Sequence, residues 1–268
     1  MGGRSAVGNA EILRFAQNDV RYVRWEPEDS AVMTFGERGM AARRHGNTES
    51  VDNYLKAILS LGGAEDRRVT SKSLADRLGV APASVTNMLQ KLAAAAAPLV
   101  VYERHRGVQL SATGRRRALE VVRHHRLIET FLYEILDYPI EEVHDEAERL
   151  EHFISERFEE RIAAKLGHPT IDPHGHSIPT LEGEMALQDS ILLTDVVADG
   201  TFVIESISDR DSGNVRLIEA CGITPGATLR VRTGSPLEGY SVSIGRSTKA
   251  FDLSREVAVD VRLLPQSK

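Results

Sequence analysis

The chain has 268 residues with 33 Lys/Arg, 39 Asp/Glu and a formal net charge of −6, room for one large domain or two to three small ones. No run reaches the ~18 consecutive apolar residues of a membrane span, and no apolar signal-peptide core opens the chain. One cysteine, Cys221, excludes an internal disulfide framework and a cysteine-rich zinc site, and it fits a reducing cytoplasm. The charge is uneven: residues 41–126 carry 15 Lys/Arg against 7 Asp/Glu, and residues 127–268 carry 13 against 26. A basic block followed by an acidic one favours a polyanion such as DNA at the first, because each phosphate contact releases counterions. A merely solvated basic face is the alternative.

Residues 1–45 mix Gly, Arg, Asn and Glu without a sustained period, and they are expected to be disordered or a spurious extension. Met33 and Met40 are alternative starts, with Met40 favoured because recognisable organisation begins just after it. A helix is predicted from Asn47, with Thr48 or Ser50 as cap, because Val51, Tyr54, Leu55, Ile58 and Leu61 fall at helical spacing before Gly62-Gly63. Two short helices follow, Val69 to Gly79 and Pro82 to Leu92, the second with proline in its first turn. Leu99 to Leu110 reads as two strands joined by a charged turn at Arg104-His-Arg-Gly107. Long helical stretches are predicted from about Arg115 to Leu136 and from Ile140 to Leu166, and the prolines and glycine at 169–179 mark a loop. From Ile191 the period becomes that of strands: 201–207, 227–232, 240–244 and 257–263, with a short helix at 215–221.

Two short helices around a Gly79 turn, followed by a hairpin, make a winged helix-turn-helix whose second helix would enter the major groove. Its leading positions are Ala81, Ala83, Ser84, Thr86 and Asn87, small or hydroxyl-bearing with one amide able to pair with adenine. Lys91, Arg104 and Arg106 suit phosphates. No arginine occupies the reading face, so direct readout is modest and DNA shape carries more of the specificity.

The chemistry concentrates at His144, Glu148, Glu151 and His152, spaced i, i+4, i+7 and i+8, one stripe if the segment is a continuous helix. On the preceding helix His125 and Glu129 are also four apart. Neighbouring helices that each present His and Glu are a common way to cage a divalent ion, and imidazole plus carboxylate without thiolate favours manganese, iron(II), cobalt or zinc. A solvated polar face is the competing reading. The enzymatic alternative is weaker. Glu148-Arg-Leu-Glu-His152 is similar to an inverted zinc-protease motif, but that motif needs histidine at Glu148. There is no H-E-x-x-H, nucleophile elbow, phosphate-binding glycine loop or dinucleotide fingerprint.

These features together resemble the diphtheria toxin repressor family of iron- and manganese-dependent regulators over residues 48–268. The most specific stretches are Thr48-Glu-Ser-Val-Asp-Asn-Tyr-Leu, Arg123-His-His-Arg-Leu-Ile-Glu129 and Val143-His-Asp-Glu-Ala-Glu-Arg-Leu-Glu-His152. The resemblance implies a mainly α chain with a small β domain. Residues 46–115 would be the winged helix, 116–182 a helical dimerisation and metal-binding domain, and 190–268 an SH3-like (FeoA-like) β-barrel. It implies two metal sites per subunit. The primary one takes Asn53, Glu148, Glu151 and His152; the ancillary one takes His125, Glu129 and His144, completed by Asp211 and Asn214 on an ungapped placement. Iron-type members carry cysteine at the position of Glu148, and a harder carboxylate there favours Mn2+ over Fe2+. Asn53 stands where manganese members have Asp, and Lys56 where short members have a carboxylate, so the layout is iron-type with a manganese-type ligand. The implied activity is that of a non-enzymatic repressor. It would bind double-stranded palindromic operator DNA as a homodimer and control metal-homeostasis genes, with no membrane or small organic substrate. A metal-independent winged-helix protein is the alternative.

Overall fold

The structure, a computed structural model, describes residues 10–14, 21–25, 45–63, 66–233 and 239–265. Two compact units divide it: residues 1–124, 152–156 and 179–187 form the first, and 125–151, 157–178 and 188–268 the second.

The first unit is built on three helices, α1 (His45–Gly62), α2 (Ser71–Leu78) and α3 (Pro82–Ala93), and a hairpin of β3 (Val100–Glu103) and β4 (Gly107–Leu110). α1 begins before Thr48 and Ser50, so neither residue caps it. α2 starts where Thr70 accepts a hydrogen bond from Ser73 N–H at 3.0 Å, and it ends at Gly79, whose φ is 64°. Leu55, Ile58, Leu74, Val85, Leu89 and Val108 are each at most 1 % exposed and form one core. Burial of such side chains contributes about 1.5–3 kcal/mol each. The start of α4 (Ala112–Leu136) is tied to this core by two ion pairs, Arg117 with Asp52 and Arg115 with Asp66.

Within residues 1–45, residues 10–14 and 21–25 are described as strands. β1 (Ala10–Arg14) and β2 (Arg21–Trp25) pair antiparallel, and β2 pairs with β5 (Met185–Leu187). The sequence of β2, Arg-Tyr-Val-Arg-Trp, is rich in aromatic and β-branched residues that favour strands, but five-residue runs carry little periodic signal. Met33 and Met40 lie outside the described residues.

In the second unit the C-terminal part of α4 packs with α6 (Glu156–Lys165) through Leu127, Ile162, Ala163 and Ile178. The helix predicted across 140–166 is two. α5 covers Ile140–Leu150, Glu151 is its C-cap, and the chain turns before α6. Ser155, a residue type favoured before helices, precedes the new start. The C-terminal sheet has strand order β10-β9-β8-β7-β11-β6, all antiparallel. Its strands are β6 (Ile191–Leu192), β7 (Gly200–Ile207), β8 (Thr228–Thr233), β9 (Tyr240–Ile244), β10 (Phe251–Leu253) and β11 (Val261–Pro265). No ladder joins β10 to β6 among the described residues. The strand expected at 257–263 starts late, because Ser254 caps a short helix, α8 (Arg255–Ala258), by accepting from Val257 N–H.

Candidate metal centre

In the first unit, His152 leaves the end of α5 and meets α1. Its Nε2 lies 3.1 Å from Asn53 Oδ1, and its Nδ1 lies 3.6 Å from Asp52 Oδ2. Asp52 accepts a hydrogen bond from Arg117 Nε at 2.5 Å and is 2 % exposed. Burial pushes its carboxyl up, but His152 and Arg117 together hold it below its ordinary value. A carboxylate behind one imidazole nitrogen orients the ring and leaves the opposite nitrogen for a cation. The sequence reading missed Asp52, although it adjoins Asn53 and falls on the buried side of α1.

In the second unit four groups converge. His125 Nε2 lies 2.9 Å from Glu129 Oε1 and 3.1 Å from His144 Nδ1; His144 Nδ1 lies 3.3 Å from Glu129 Oε1 and 3.4 Å from Asp209 Oδ2. One ligand atom from each of His125, Glu129, His144 and Asp209 falls within 4.8 Å of the others. The helical spacing of His125 and Glu129 puts both on one face of α4, and His144 comes from α5. Asp209 lies between β7 and α7 (Ser212–Ala220). His125 also turns its Nδ1 to Glu151 Oε2 at 2.6 Å, and His125, Glu148 and Glu151 form a second convergent trio. His144 and Glu148 face each other along α5, with Nε2 and Oε1 4.0 Å apart.

The donor set fits a divalent cation. Two imidazole nitrogens approach to 3.1 Å, and only one of the facing lone pairs can be satisfied by a proton between them. Glu129 is fully buried, and its Oε2 has no hydrogen-bond partner among the described residues, a costly arrangement unless a cation takes the oxygen. Burial would push the Glu129 and Asp209 carboxyls up. The histidines around them outweigh it and hold both well below the ordinary range. Burial would likewise push His144 down, yet hydrogen bonds to Asp209 and Glu129 hold it up at about 9.

A loop completes the surroundings. Asp172 Oδ1 accepts from His174 N–H and His176 N–H, both at 2.9 Å, and Ile207 N–H donates to His174 O at 2.9 Å. Gly175 has φ 91°, and a Cβ there would overlap the Glu205 carbonyl, so glycine lets the loop lie on β7. His174 Nδ1 comes to 3.8 Å from Glu129 Oε1, and Glu129, Asp172 and His174 form a third buried trio. The sequence signal for this loop was available in Asp172-Pro-His-Gly-His176, but prolines and glycine marked it only as a connection.

Asp211 and Asn214 are placed elsewhere. Asp211 caps α7 by accepting from Asn214 N–H at 3.0 Å, and the Asn214 amide donates to Asp260 Oδ2 at 2.7 Å. The carboxylate brought to the cluster is Asp209, two residues earlier. On the winged helix, Ala81, Ala83, Ser84, Asn87, Lys91, Arg104 and Arg106 are exposed and Thr86 is half-buried.

Comparison with known proteins covers all three regions of the chain. The N-terminal DNA-binding domain of the iron-dependent repressors matches residues 47–108, their metal-binding and dimerisation domain residues 111–180, and the FeoA domain residues 191–263. The iron-dependent repressor IdeR of Mycobacterium tuberculosis is 31% identical over 210 residues, covering 73% of this chain and 89% of that protein. The diphtheria toxin repressor of Corynebacterium diphtheriae is 32% identical over 230 residues, covering 80% of this chain and 96% of that protein. A solved manganese-dependent transcriptional repressor in complex with manganese superposes with a TM-score of 0.73 at 37% identity, covering 81% of this chain and 100% of that one. The chain belongs to the diphtheria toxin repressor family of iron- and manganese-dependent transcriptional repressors, which are regulators and not enzymes.

Proposed function

We propose that this chain is a manganese-responsive repressor that binds palindromic operator DNA as a homodimer and controls metal-homeostasis genes, with iron(II) as the alternative cation. The observation that carries the reading is the buried convergence of His125, Glu129, His144 and Asp209 in a chain that also folds a winged helix. Asn53, Glu148, Glu151 and His152 would hold the regulatory ion. The approach of His152 to Asn53 supports two members of that set, and the trio of His125, Glu148 and Glu151 supports the other two. His125, Glu129, His144 and Asp209 would hold a second ion, with Asp209 in the role that the ungapped placement gave to Asp211 and Asn214. Oxygen and imidazole donors without thiolate favour manganese over copper(I) and suit iron(II) as well.

A bound cation supplies a cross-link that makes one arrangement of its ligands the stable one. The chain's own residues do the rest. Asp52 and Arg117 orient His152, and Asp172 holds the His174 loop beside Glu129. α3 presents Asn87 and Ser84 to bases, and Lys91 and Arg106 serve phosphates. Coupling between metal and DNA is reciprocal, so operator DNA tightens metal binding. Tyr133, Ile135 and Leu136, exposed near the end of α4, offer apolar surface for a second copy to cover. Fluorescence anisotropy with duplexes selected from a randomised pool tests the proposal. Affinity rises with manganese and falls with chelator; equal affinity in both refutes metal control. A Glu151→Ala variant that keeps the full metal response removes the primary-site assignment.

A further inference from the structure

A cleft of about 550 Å3 opens in the first unit among the start of α2, one side of α3 and the hairpin turn, within the roughly 300–1,000 Å3 typical of small-molecule sites. Its walls divide by chemistry. Tyr102, on β3, is half-buried; it packs against the core of the unit and also lines the cleft. Thr86 and Gln90, four residues apart and so neighbours on α3, form a second wall. Arg104, His105 and Arg106 come from the turn, and Thr70 and Ser71 from the start of α2. Three basic side chains therefore line the cleft, and no carboxylate does. Glu103, beside the turn, accepts from Arg106 at 3.1 Å and from Arg68 at 2.5 Å, which hold its carboxyl below the ordinary value. Arg104, Gln90 and Tyr102 make no side-chain hydrogen bond or ion pair among the described residues.

The start of α2 adds backbone donors to the basic side chains. Thr70 takes the N–H of Ser73, and the N–H groups of Ser71 and Lys72 lie in the first turn, where a helix gives them no acceptor of its own. A phosphate monoester brings nearly two negative charges and three acceptor oxygens, which suit the helix start and the unpaired Arg104 together. A flat aromatic body suits the Tyr102 ring, and the Gln90 amide can donate to and accept from its polar edge. The cleft is also held open in advance. Val69 and Val108 exchange backbone hydrogen bonds of 2.8 and 2.9 Å, and Gly107, with φ 93°, lies against the Val69 carbonyl, where a Cβ would sit 2.5 Å from the oxygen. A ligand thus meets walls that need little ordering on binding. Because Thr86 and Gln90 belong to α3, a molecule lodged there covers part of the helix offered to DNA.

We infer that the cleft binds a free phosphorylated aromatic metabolite of nucleotide size, and that this ligand excludes operator DNA from α3. The binding half stands on the cleft alone; the exclusion half rests on the DNA-binding reading above. Adenosine 5′-monophosphate is the probe, with adenosine and inorganic phosphate as its fragments. Calorimetry uses the full-length, chelator-treated protein without DNA. The monophosphate binds saturably, and each fragment binds at least about tenfold more weakly. Arg104→Ala weakens the monophosphate by about tenfold or more, the size expected when one hydrogen bond to a charged group is lost. Gln90→Ala weakens the monophosphate but not inorganic phosphate. Lys249→Ala, an exposed cation of the C-terminal sheet region, changes neither. In anisotropy with manganese-loaded protein and a duplex enriched from a randomised pool, the monophosphate at about ten times its dissociation constant lowers operator affinity about tenfold by mass action. Adenosine at that concentration does not. Absence of saturable binding, or binding unchanged in both cleft variants, overturns the ligand site. Inorganic phosphate binding as tightly as the monophosphate overturns it too, since the cleft then recognises phosphate without the aromatic body. An operator affinity that ignores the bound monophosphate overturns the exclusion. A pool in which no duplex is enriched overturns the DNA-binding reading and the exclusion with it, while the calorimetry still decides the ligand site.

Discussion

His144 couples folding and metal binding to pH in opposite directions. Burial works to lower its pKa, but hydrogen bonds to Asp209 and Glu129 hold it at about 9 against an ordinary 6.5. A folded-state value above the unfolded one means that the protonated imidazole stabilises the fold. That stabilisation is fully present below 6.5 and is lost as the pH rises through about 9. At about 1.4 kcal/mol per pH unit, the difference is worth about 3 kcal/mol to the metal-free chain. A cation at Nδ1 needs the lone pair that the proton occupies, so binding near neutral pH displaces about one proton. Metal affinity then rises about tenfold per pH unit up to about pH 9, while metal-free stability falls over the same window. Urea unfolding of chelator-treated protein between pH 6 and 9 measures the first slope. Manganese calorimetry in buffers of different ionisation enthalpy counts the protons. Asp209→Asn flattens the stability slope, because it removes the first of the interactions that raise His144. Metal-free stability that is flat or rises across this window, or binding heats independent of buffer, refutes the electrostatic account of the cluster.

Further expectations follow from the same geometry. Gly175→Ala forces a side chain into the Glu205 carbonyl at a left-handed φ; it lowers stability by about 2 kcal/mol or more in urea melts, with a matching loss of second-site metal affinity. Asp52→Asn keeps the shape but weakens the support behind His152, and a 10- to 100-fold loss of metal affinity by calorimetry is the size expected of such a partner. Because its pKa is lowered, Asp52 contributes stability above its unfolded value of 3.8 that disappears as the pH falls through the folded value; the variant therefore shows a shallower acid limb in unfolding followed by circular dichroism. Leu136→Asp places a charge on the exposed apolar end of α4 and shifts sedimentation toward monomer at micromolar protein, whereas an unchanged dimer relocates the interface.

The division between what sequence reveals and what it hides follows the periodicity of the residues concerned. His125 and Glu129 were legible because a continuous helix makes i,i+4 neighbours of them. The winged helix was legible because Gly79 and Pro82 punctuate it at residue types with specific backbone roles. Asp209 was not, since a loop between strand and helix has no period, and neighbouring acidic residues there look alike on paper. The Asp211 side chain accepts from the first turn of α7 and serves as its cap. His174 and Asp172 were hidden for the same reason, and the two strands before residue 26 because short, unbounded runs carry almost no pattern.

The end of α5 shows how a local break can add chemistry. On a continuous helix, Glu148, Glu151 and His152 would share one side with His144, bringing four carboxylate and imidazole groups to the approach to a single ion. With the helix stopped at Leu150, the backbone N–H of Glu151 still donates to Ala147 O at 2.9 Å, so Glu151 keeps its side chain at His125. His152, the next residue, is released to reach Asn53 and Asp52. Two consecutive residues thus serve different partners. Extending the helix through this turn, for example with Phe153→Ala and Ser155→Ala together, sets helix propensity against the ligand geometry. If the turn is what separates the two sets of donors, that variant gains helicity by circular dichroism and loses metal affinity; a gain in helicity with unchanged affinity shows that the donors reach their partners without it.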